Sequence, residues 1–235
     1  MSLAIDIRNL RFKYPKATAD CLSIQKFQVE TGERVFVHGP SGCGKSTLLG
    51  LIGGVLIADE GEVEILGQHL STLSLAARDQ FRADHIGFIF QQFNLIPYLS
   101  VMDNVLLPCR FSDRRLKQTL NNGNTLQAQA MRLMTHLEID QLKHHSVVEL
   151  SVGQQQRVAA ARALIGNPQI VIADEPTSSL DANRQSAFLE LLAHECAATG
   201  ATLVFVSHDR RLVQYFDREI SLPSINQAAF AEAML

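Results

Sequence analysis

The hydrophobic pattern of the chain predicts two kinds of β-structure. Residues 3–15 and 22–29 alternate apolar and polar side chains, which is typical of half-buried antiparallel strands. Residues 169–174 and 202–206 are nearly continuous apolar runs, which are typical of strands in a parallel sheet covered on both faces. We therefore predict an α/β fold in which a small antiparallel β-element accompanies a parallel core.

The middle of the chain has a helical pattern. Apolar residues recur there at helical spacing, at Leu126, Ala130, Leu133 and Leu137. Residues 111–124 are polar and end in an Asn-Asn-Gly-Asn cluster, which predicts a loop. We expect a single domain over residues 1–235. It would consist of a core, formed by residues 1–91 and 161–225, and an inserted helical subdomain formed by residues 92–160.

A glycine-rich loop lies between a β-type run at residues 34–38 and a helical run that begins at Ser46. Its sequence is Gly39-Pro40-Ser41-Gly42-Cys43-Gly44-Lys45-Ser46. The glycines permit a tight turn that points backbone N–H groups and the positive helix end at phosphate oxygens. Lys45 adds a positive charge for the β- and γ-phosphates, and the Ser46 hydroxyl is a Mg²⁺ ligand. Kinases, GTPases and motor proteins share such a loop, so the loop alone leaves the reaction open.

Polar groups end two of the predicted core strands. Asp174 is the last residue of the run 169–174, and Glu175 follows it directly. Asp174 would hold Mg²⁺, and Glu175 would orient or deprotonate the attacking water. His208 follows the run 202–206 and is expected at the same edge of the sheet, near a γ-phosphate.

Three further features have more than one interpretation from the residues alone. Tyr14 would either stack on an adenine ring or pack on its own strand neighbours. Gln91 follows the strand-like run 86–90 and would either contact the metal and its water or be a solvated loop amide. The segment Leu150-Ser151-Val152-Gly153-Gln154, here named the signature segment, opens a helix with N–H groups suited to an anion. This second anion site has no ligand within one chain, which points to a partner.

Composition narrows the class of protein. The net charge is −3, so a nucleic-acid partner is not expected. The polar start is unlike a secretory signal, and no apolar run approaches the roughly 20 residues that span a bilayer, so we expect a cytoplasmic location. Four separated cysteines favour reduced thiols. The thiol of Cys43 lies near a helix N-terminus, a place where the pKa of a thiol can fall, but this position of the loop accepts many small residues, so we expect an ordinary loop residue.

In these motifs and their order, residues 1–222 resemble the ATP-binding subunit of ABC (ATP-binding cassette) transporters. The resemblance rests on the phosphate loop, the signature segment, Asp174-Glu175, Ser178-Ser179-Leu180-Asp181 and His208. It implies a P-loop NTPase (RecA-like) core, ATP and Mg²⁺ as cofactors, and a homodimer whose signature segments cap the partner's γ-phosphates.

The resemblance also implies roles for individual residues. Tyr14 would stack on adenine, Glu175 would be the catalytic carboxylate, and Asp181 would link the two sites across the dimer. The implied catalytic residues are Glu175, His208 and Lys45, and the implied metal ligands are Ser46, Gln91 and Asp174. The implied nucleotide-contacting residues are Tyr14, Gly39, Ser41, Gly42, Cys43, Gly44, Lys45, Ser46, Thr47, Gln91, Ser151, Gly153, Gln154 and Asp181.

Two departures from the family pattern stand out. Val152 replaces the first glycine of the common Leu-Ser-Gly-Gly-Gln signature, and we expect activity to survive. Residues 218–225 lack the glycine turn that usually joins the last two strands, which puts that hairpin in doubt.

Within the family, residues 86–97 together with Asn104, Val105 and Pro108 are similar to the lipoprotein-release, macrolide-export and cell-division ATPases. This branch implies an integral-membrane permease on a separate chain, a peripheral position on the inner face of the cytoplasmic membrane, and an accompanying periplasmic membrane-fusion protein. The alternative is a regulatory ATPase that signals through a membrane protein to a cell-wall hydrolase or sensor and moves no substrate.

Overall fold

The computed structural model describes residues 2–120, 124–178 and 180–228. Among these residues the strands are β1 (Leu3–Phe12), β2 (Leu22–Glu30), β3 (Arg34–His38), β4 (Glu60–Ile65), β5 (Gln68–His69), β6 (Ile86–Ile89), β7 (Ile170–Asp174), β8 (Thr202–Val206) and β9 (Arg218–Ser221). The α-helices are α1 (Lys45–Ile52), α2 (Leu75–His85), α3 (Val101–Leu106), α4 (Pro108–Phe111), α5 (Asp113–Leu120), α6 (Leu126–His136), α7 (Val152–Leu164), α8 (Ala182–Thr199) and α9 (Leu222–Ile225).

The described residues divide into two compact units. The first unit contains residues 2–82 and 202–228, and the second contains residues 83–201. The second unit holds β6, β7 and α8 besides the helices of the interval 92–160, so the predicted subdomain boundaries at 92 and 160 stay a prediction. None of the helices in the described part of the chain has the length and apolar character needed to cross a bilayer.

An antiparallel sheet in the order β2-β1-β4-β5 forms one layer of the first unit. In the central strand β1, Ile5 pairs with Val29 of β2 on one side and with Ile65 of β4 on the other, and all three side chains are buried. The apolar positions that alternate in the sequence therefore build this layer's core, as the pattern predicts.

Parallel strands of the first unit support the phosphate loop. Strand β3 pairs in parallel with both β8 and β9. Phe36 of β3 stacks on Phe205 of β8 with ring centroids 6.2 Å apart, and Phe216 lies 5.3 Å from Phe36. Strand β9 is followed directly by α9, which begins with Leu222 and Pro223, instead of by a hairpin strand. The doubt about the last hairpin is thus confirmed.

The second unit places α7 directly on a short parallel pair of strands. Strand β6 pairs with β7 over Ile86–Ile89 and Ile170–Ala173. Gly87 allows the close approach of α7, because a Cβ at this position would lie 2.3 Å from the carbonyl oxygen of Ala163. The packing between strand and helix is therefore closer than any side chain at position 87 permits.

The prediction of a loop over residues 111–124 is wrong for Asp113–Leu120, because these residues form helix α5. The face of α5 that packs inward carries Arg115 and Thr119 in place of apolar residues, so no apolar periodicity marks the helix. Arg115 is 1% exposed and donates to the carbonyl oxygens of Ile86 (2.6 Å), Ala163 (3.1 Å) and Ile165 (3.0 Å). Residues 121–123 of the predicted Asn-Asn-Gly-Asn cluster lie outside the described residues, as does Ser179.

Replacing Arg115 by methionine is expected to lower the free energy of unfolding by about 3 kcal/mol, because three buried carbonyl groups lose their donor. Burial lowers the pKa of Arg115 to about 10, so the side chain is still charged near neutral pH. Urea unfolding followed by circular dichroism measures the loss. Lys117→Met, on the exposed side of the same helix, is the control, with an expected change within about 0.5 kcal/mol. Equal losses in the two variants would contradict the structural role of Arg115.

Candidate functional site

The phosphate loop connects β3 to α1 through glycines in left-handed backbone conformations. Gly44 immediately precedes α1 with φ 99°, and a Cβ there would lie 2.5 Å from Leu22 Cδ2. Since Gly44 has no side chain to cap the helix, the N-terminal end of α1 presents its positive dipole to a ligand. Backbone geometry and helix polarity together make this end of α1 an anion-binding element.

Lys45 supplies the charge of the loop. Its side chain is 8% exposed, and Nζ donates to the carbonyl oxygens of Gly39 (2.9 Å) and Pro40 (3.0 Å). The ammonium group is therefore folded back onto the start of the loop instead of extending into solvent. Ser46, the next residue, is exposed in the first turn of α1.

Tyr14, Thr47 and Cys21 meet beside this loop. The Tyr14 hydroxyl lies 3.1 Å from Thr47 Oγ1, and the Cys21 thiol lies 3.4 Å from the same oxygen. The Tyr14 ring also packs edge-on against Phe12, with centroids 5.0 Å apart, and 44% of the residue is exposed. The Tyr14 ring therefore packs on a strand neighbour, as one interpretation expects, and it keeps the exposed surface that stacking on a base would need. Stacking on adenine stays a prediction.

The pKa of the Cys43 thiol does not fall, which agrees with its interpretation as an ordinary residue of the loop. Burial of the thiol raises its pKa above the ordinary value, and this effect outweighs the favourable charge of Lys45 and the backbone hydrogen bonds. Cys43 is thus held mainly as the neutral thiol at physiological pH.

The histidine of the first unit follows β8. His208 is exposed, whereas Ser207 before it is buried. The neighbouring Asp209 accepts hydrogen bonds from the backbone N–H and Nε of Arg211, at 3.1 and 2.8 Å. The hydrogen bond from the Arg211 side chain lowers the pKa of Asp209, against the opposing effect of burial. The turn after His208 is therefore held by an ionised carboxylate.

In the second unit, the two acids lie at the end of β7 as predicted. Asp174 is the last residue of β7, and both Asp174 and Glu175 are half-buried. Glu175 has a φ of 43°, a left-handed backbone conformation that is unfavourable for a residue other than glycine. Its carbonyl accepts from the N–H of Ser178 at 3.2 Å. Strained backbone of this type is concentrated at active sites, which supports a chemical role for Glu175.

The signature segment starts α7 with a capping box. The Ser151 hydroxyl accepts from the N–H of Gln154 at 3.4 Å, and the Ser151 N–H donates to the Gln154 side-chain oxygen at 2.9 Å. Ser151 is exposed, and its hydroxyl keeps its own proton for donation to a further acceptor. Gly153 is close to Leu180, since a Cβ there would lie 3.9 Å from Leu180 Cδ2. The exposed Val152 leaves this capping geometry intact.

Asp181 has a local structural role. It caps the start of α8, where its side chain accepts from the backbone N–H of Arg184 at 3.0 Å, and it forms an ion pair with the Arg184 side chain. A contact with a second subunit stays a prediction.

Gln91 lies beyond the end of β6, and its side chain is exposed. The loop that follows Gln91 is held by Arg162, which the sequence did not suggest as a functional residue. Arg162 of α7 donates to the carbonyl oxygens of Phe93 and Asn94, both at 2.6 Å. Phe93 and Asn94 have positive φ values of 58° and 49°. The sequence signal for this contact was the presence of an arginine within the alanine-rich run that forms the end of α7.

The predicted metal ligands are of the types that a hard cation accepts. Within the described ranges, no group of three His, Cys, Asp or Glu side chains is arranged to hold a metal. Hydroxyl, amide and carboxylate oxygens from Ser46, Gln91 and Asp174 are ligand types that Mg²⁺ accepts, and phosphate oxygens and water would complete its shell.

The glycine-rich loop on β3 and α1 and the acids that end β7 define a P-loop ATPase. More specifically, the chain belongs to the ABC transporter family, whose sequence profile matches residues 22–178. It is an ATP-binding, ATP-hydrolysing member of that family.

Relatives with known names support this assignment. The chain is 36% identical to the lipoprotein-releasing system ATP-binding protein LolD of Syntrophotalea carbinolica over 223 residues, which cover 93% of this chain and 94% of the relative. It is also 36% identical to the macrolide export ATP-binding/permease protein MacB of Bdellovibrio bacteriovorus over 220 residues, which are 93% of this chain but 32% of that protein.

A solved structure has the same fold. The ATP-binding cassette MJ0796, described as a dimer in a post-hydrolysis state bound to ADP and Pi, superposes with a TM-score of 0.81. The two sequences are 35% identical, and the superposition covers 92% of this chain and 93% of that one.

Alkylation of Cys43 by iodoacetamide should titrate above the ordinary thiol pKa of 9.0, because only the thiolate reacts and burial raises the pKa. Below that pH the native chain should react more slowly than the chain unfolded in urea, and the difference should shrink as the pH rises. Mass spectrometry of the Cys43 peptide measures both rates, and Cys43→Ser verifies the peptide assignment. A native titration midpoint below that of the unfolded chain would contradict the buried thiol.

Proposed function

We propose that two copies of this chain close around two ATP–Mg²⁺ complexes and use the energy of hydrolysis to drive a membrane permease. The observation that carries the proposal is that one chain contains two separate anion-binding helix starts. One is the glycine-capped start of α1 beside Lys45, and the other is the serine-capped start of α7 at Ser151. A homodimer gives the second helix start a ligand, namely the γ-phosphate held by the phosphate loop of the partner subunit. The dimeric state of the similar cassette MJ0796 supports this arrangement.

The proposed site divides binding and chemistry among the predicted residues. The loop from Gly39 to Thr47, including Ser41, Gly42, Cys43 and Gly44, would cradle the phosphates, and Lys45 would neutralise charge on them. Tyr14 would stack on the base. Glu175 would orient or deprotonate the attacking water, and His208 would contact the γ-phosphate. From the other subunit, Ser151, Gly153 and Gln154 would cap the γ-phosphate, and Asp181 would link the two sites.

The metal would be held by Ser46 and Gln91 directly and by Asp174 directly or through water. When bound, Mg²⁺ neutralises charge on the transferred phosphate. The exposure of Ser46 and Gln91 supports their access to such a cation. The hydrogen bonds from Arg162 would keep the loop after Gln91 in position.

The membrane partner is proposed to be an export-type permease on a separate chain. The relative LolD, which matches over 94% of its length, is named an ATP-binding protein of a lipoprotein-releasing system. In the relative MacB, the matched cassette is 32% of a combined ATP-binding and permease protein. Such a partner would place this chain on the inner face of the cytoplasmic membrane, and a periplasmic membrane-fusion protein would complete an export assembly.

Glu175→Gln is expected to bind ATP but to hydrolyse it at least about a hundredfold more slowly, because the carboxylate that assists the water is lost. The ATP-bound dimer should therefore accumulate, and static light scattering with added ATP should show a doubled mass. Lys45→Ala is the control and should remain monomeric, because it lacks the charge that holds the phosphates. A monomeric Glu175→Gln chain that still turns over ATP at the native rate would refute the assigned site.

An affinity-tagged chain purified from detergent-solubilised membranes should bring with it a protein with several membrane-spanning helices. Mass spectrometry identifies that protein, and its addition in lipid nanodiscs should alter the ATPase rate of the purified chain. A membrane-fusion protein in the same complex favours export, whereas a cell-wall hydrolase or sensor favours the regulatory alternative. Recovery of the chain without any membrane protein from such membranes would contradict the proposed partner.

A further inference from the structure

The carboxamide of Asn226 is fully paired in the interior of the first unit. Asn226 is 1% exposed. Its side-chain oxygen accepts from the backbone N–H groups of Ser23 (2.8 Å) and Ala228 (3.2 Å). Its side-chain nitrogen donates to the backbone carbonyl oxygens of Cys21 (3.1 Å) and Cys43 (3.3 Å). Two N–H partners and two carbonyl partners fix the orientation of the amide.

These hydrogen bonds join the phosphate loop to a segment beside it. Cys43 lies inside the loop, two positions before Lys45. Cys21 precedes β2, and its thiol contacts Thr47 Oγ1, the atom that also bonds the Tyr14 hydroxyl. One carboxamide therefore bonds both the loop and the segment next to Tyr14.

The backbone that carries Asn226 is held by contacts that do not involve its side chain. The N–H of Gln227 donates to the carbonyl of Ser23 at 2.8 Å, and the N–H of Asn226 donates to the carbonyl of Leu222 at 2.9 Å. Pro223 packs at the start of the loop, since a Cβ on Gly39 would lie 2.9 Å from Pro223 Cδ. Changing the carboxamide should therefore leave residues 222–227 in place.

We propose that Asn226 is a positioning residue that sets the affinity for ATP by holding the Cys43 peptide unit. In a planar trans peptide, the carbonyl of one residue and the N–H of the next point in opposite directions. The bond from Asn226 to the Cys43 carbonyl therefore directs the Gly44 N–H to the opposite side of the loop. The proposal rests on the proposed nucleotide site at Lys45 and adds a residue that lies 183 positions away from Cys43 in sequence.

Asn226→Asp tests this role with almost no change in volume. Aspartate keeps the acceptor for the N–H groups of Ser23 and Ala228 but replaces the donor by a charged oxygen that faces the carbonyls of Cys21 and Cys43. Equilibrium binding of a fluorescent ATP analogue should weaken by about tenfold, the equivalent of roughly one lost hydrogen bond to a buried acceptor. The KM for ATP should rise in parallel, while kcat at saturating ATP stays within about twofold. Asn226→Ala removes both donor and acceptor and provides a second variant, should the aspartate chain fail to fold.

Asn104 is the matched control because its carboxamide is also buried and paired only with backbone groups, and it is far from the proposed nucleotide loop in sequence. It is 0% exposed, accepts from the N–H of Ile96 at 2.8 Å, and donates to the carbonyls of Ile96, Leu99 and Ser100. Asn104→Asp should lower the melting temperature as Asn226→Asp does but leave ATP affinity within about twofold. An equal loss of affinity in both variants would overturn the proposal, since it would reflect stability alone.

Lys45→Ala separates failure of this inference from failure of the proposed site. If Lys45→Ala abolishes binding while both Asn226 variants bind the analogue with native affinity, Asn226 has no positioning role and the nucleotide site stands. If Lys45→Ala binds with native affinity, the proposed nucleotide site is wrong and the role of Asn226 falls with it. Weakened binding in Lys45→Ala and both Asn226 variants, with native affinity in Asn104→Asp, is the result that supports the proposal.

Discussion

Hydrogen bonds from buried side chains to backbone carbonyls are the interaction on which the functional loops of this chain depend. A loop that bends sharply cannot pair its carbonyls in a helix or a ladder, and a buried carbonyl without a partner costs about 1–3 kcal/mol. Buried side chains supply the missing donors at several of these points, among them Arg115, Arg162 and Asn226. The loops are therefore irregular in shape and yet held at defined points.

In the second unit, these contacts connect two regions of the chain through one helix. Helix α7 begins next to Ser151, whose hydroxyl caps it, and Arg162 near its other end bonds the loop that follows Gln91. Because α7 is a continuous helix of 13 residues, its ends cannot move independently. Helix α7 therefore links the signature segment and the Gln91 loop through one rigid element.

The sequence predicted those parts of the fold whose inner faces are apolar. Strand β8 has the predicted bounds of residues 202–206, because all five of its side chains are buried. Helix α5 was missed because an arginine and a threonine occupy its inner face. Prediction from the pattern of apolar and polar residues assumes that inward-facing side chains are apolar. It fails where the inward-facing side chains are polar and form hydrogen bonds.

The candidate site shows the same division. The loop glycines, Lys45 and the acids at the end of β7 follow from local motifs, since the chemistry requires those residues at fixed spacing. Arg162 and Asn226 act on loops far away in the sequence, and no local spacing reveals such a pairing. The φ of Glu175 is likewise a product of the fold, because nothing in Asp174-Glu175-Pro176 requires a left-handed carboxylate residue.

The position of Asn226 has a consequence for the order in which the protein matures during synthesis. Its partners Ser23 and Cys43 precede it by 203 and 183 residues, so both are made long before their common partner leaves the ribosome. Domains acquire structure as the chain emerges from its amino-terminal end. The phosphate loop therefore receives the hydrogen bond from Asn226 only after a further 183 residues have been synthesised.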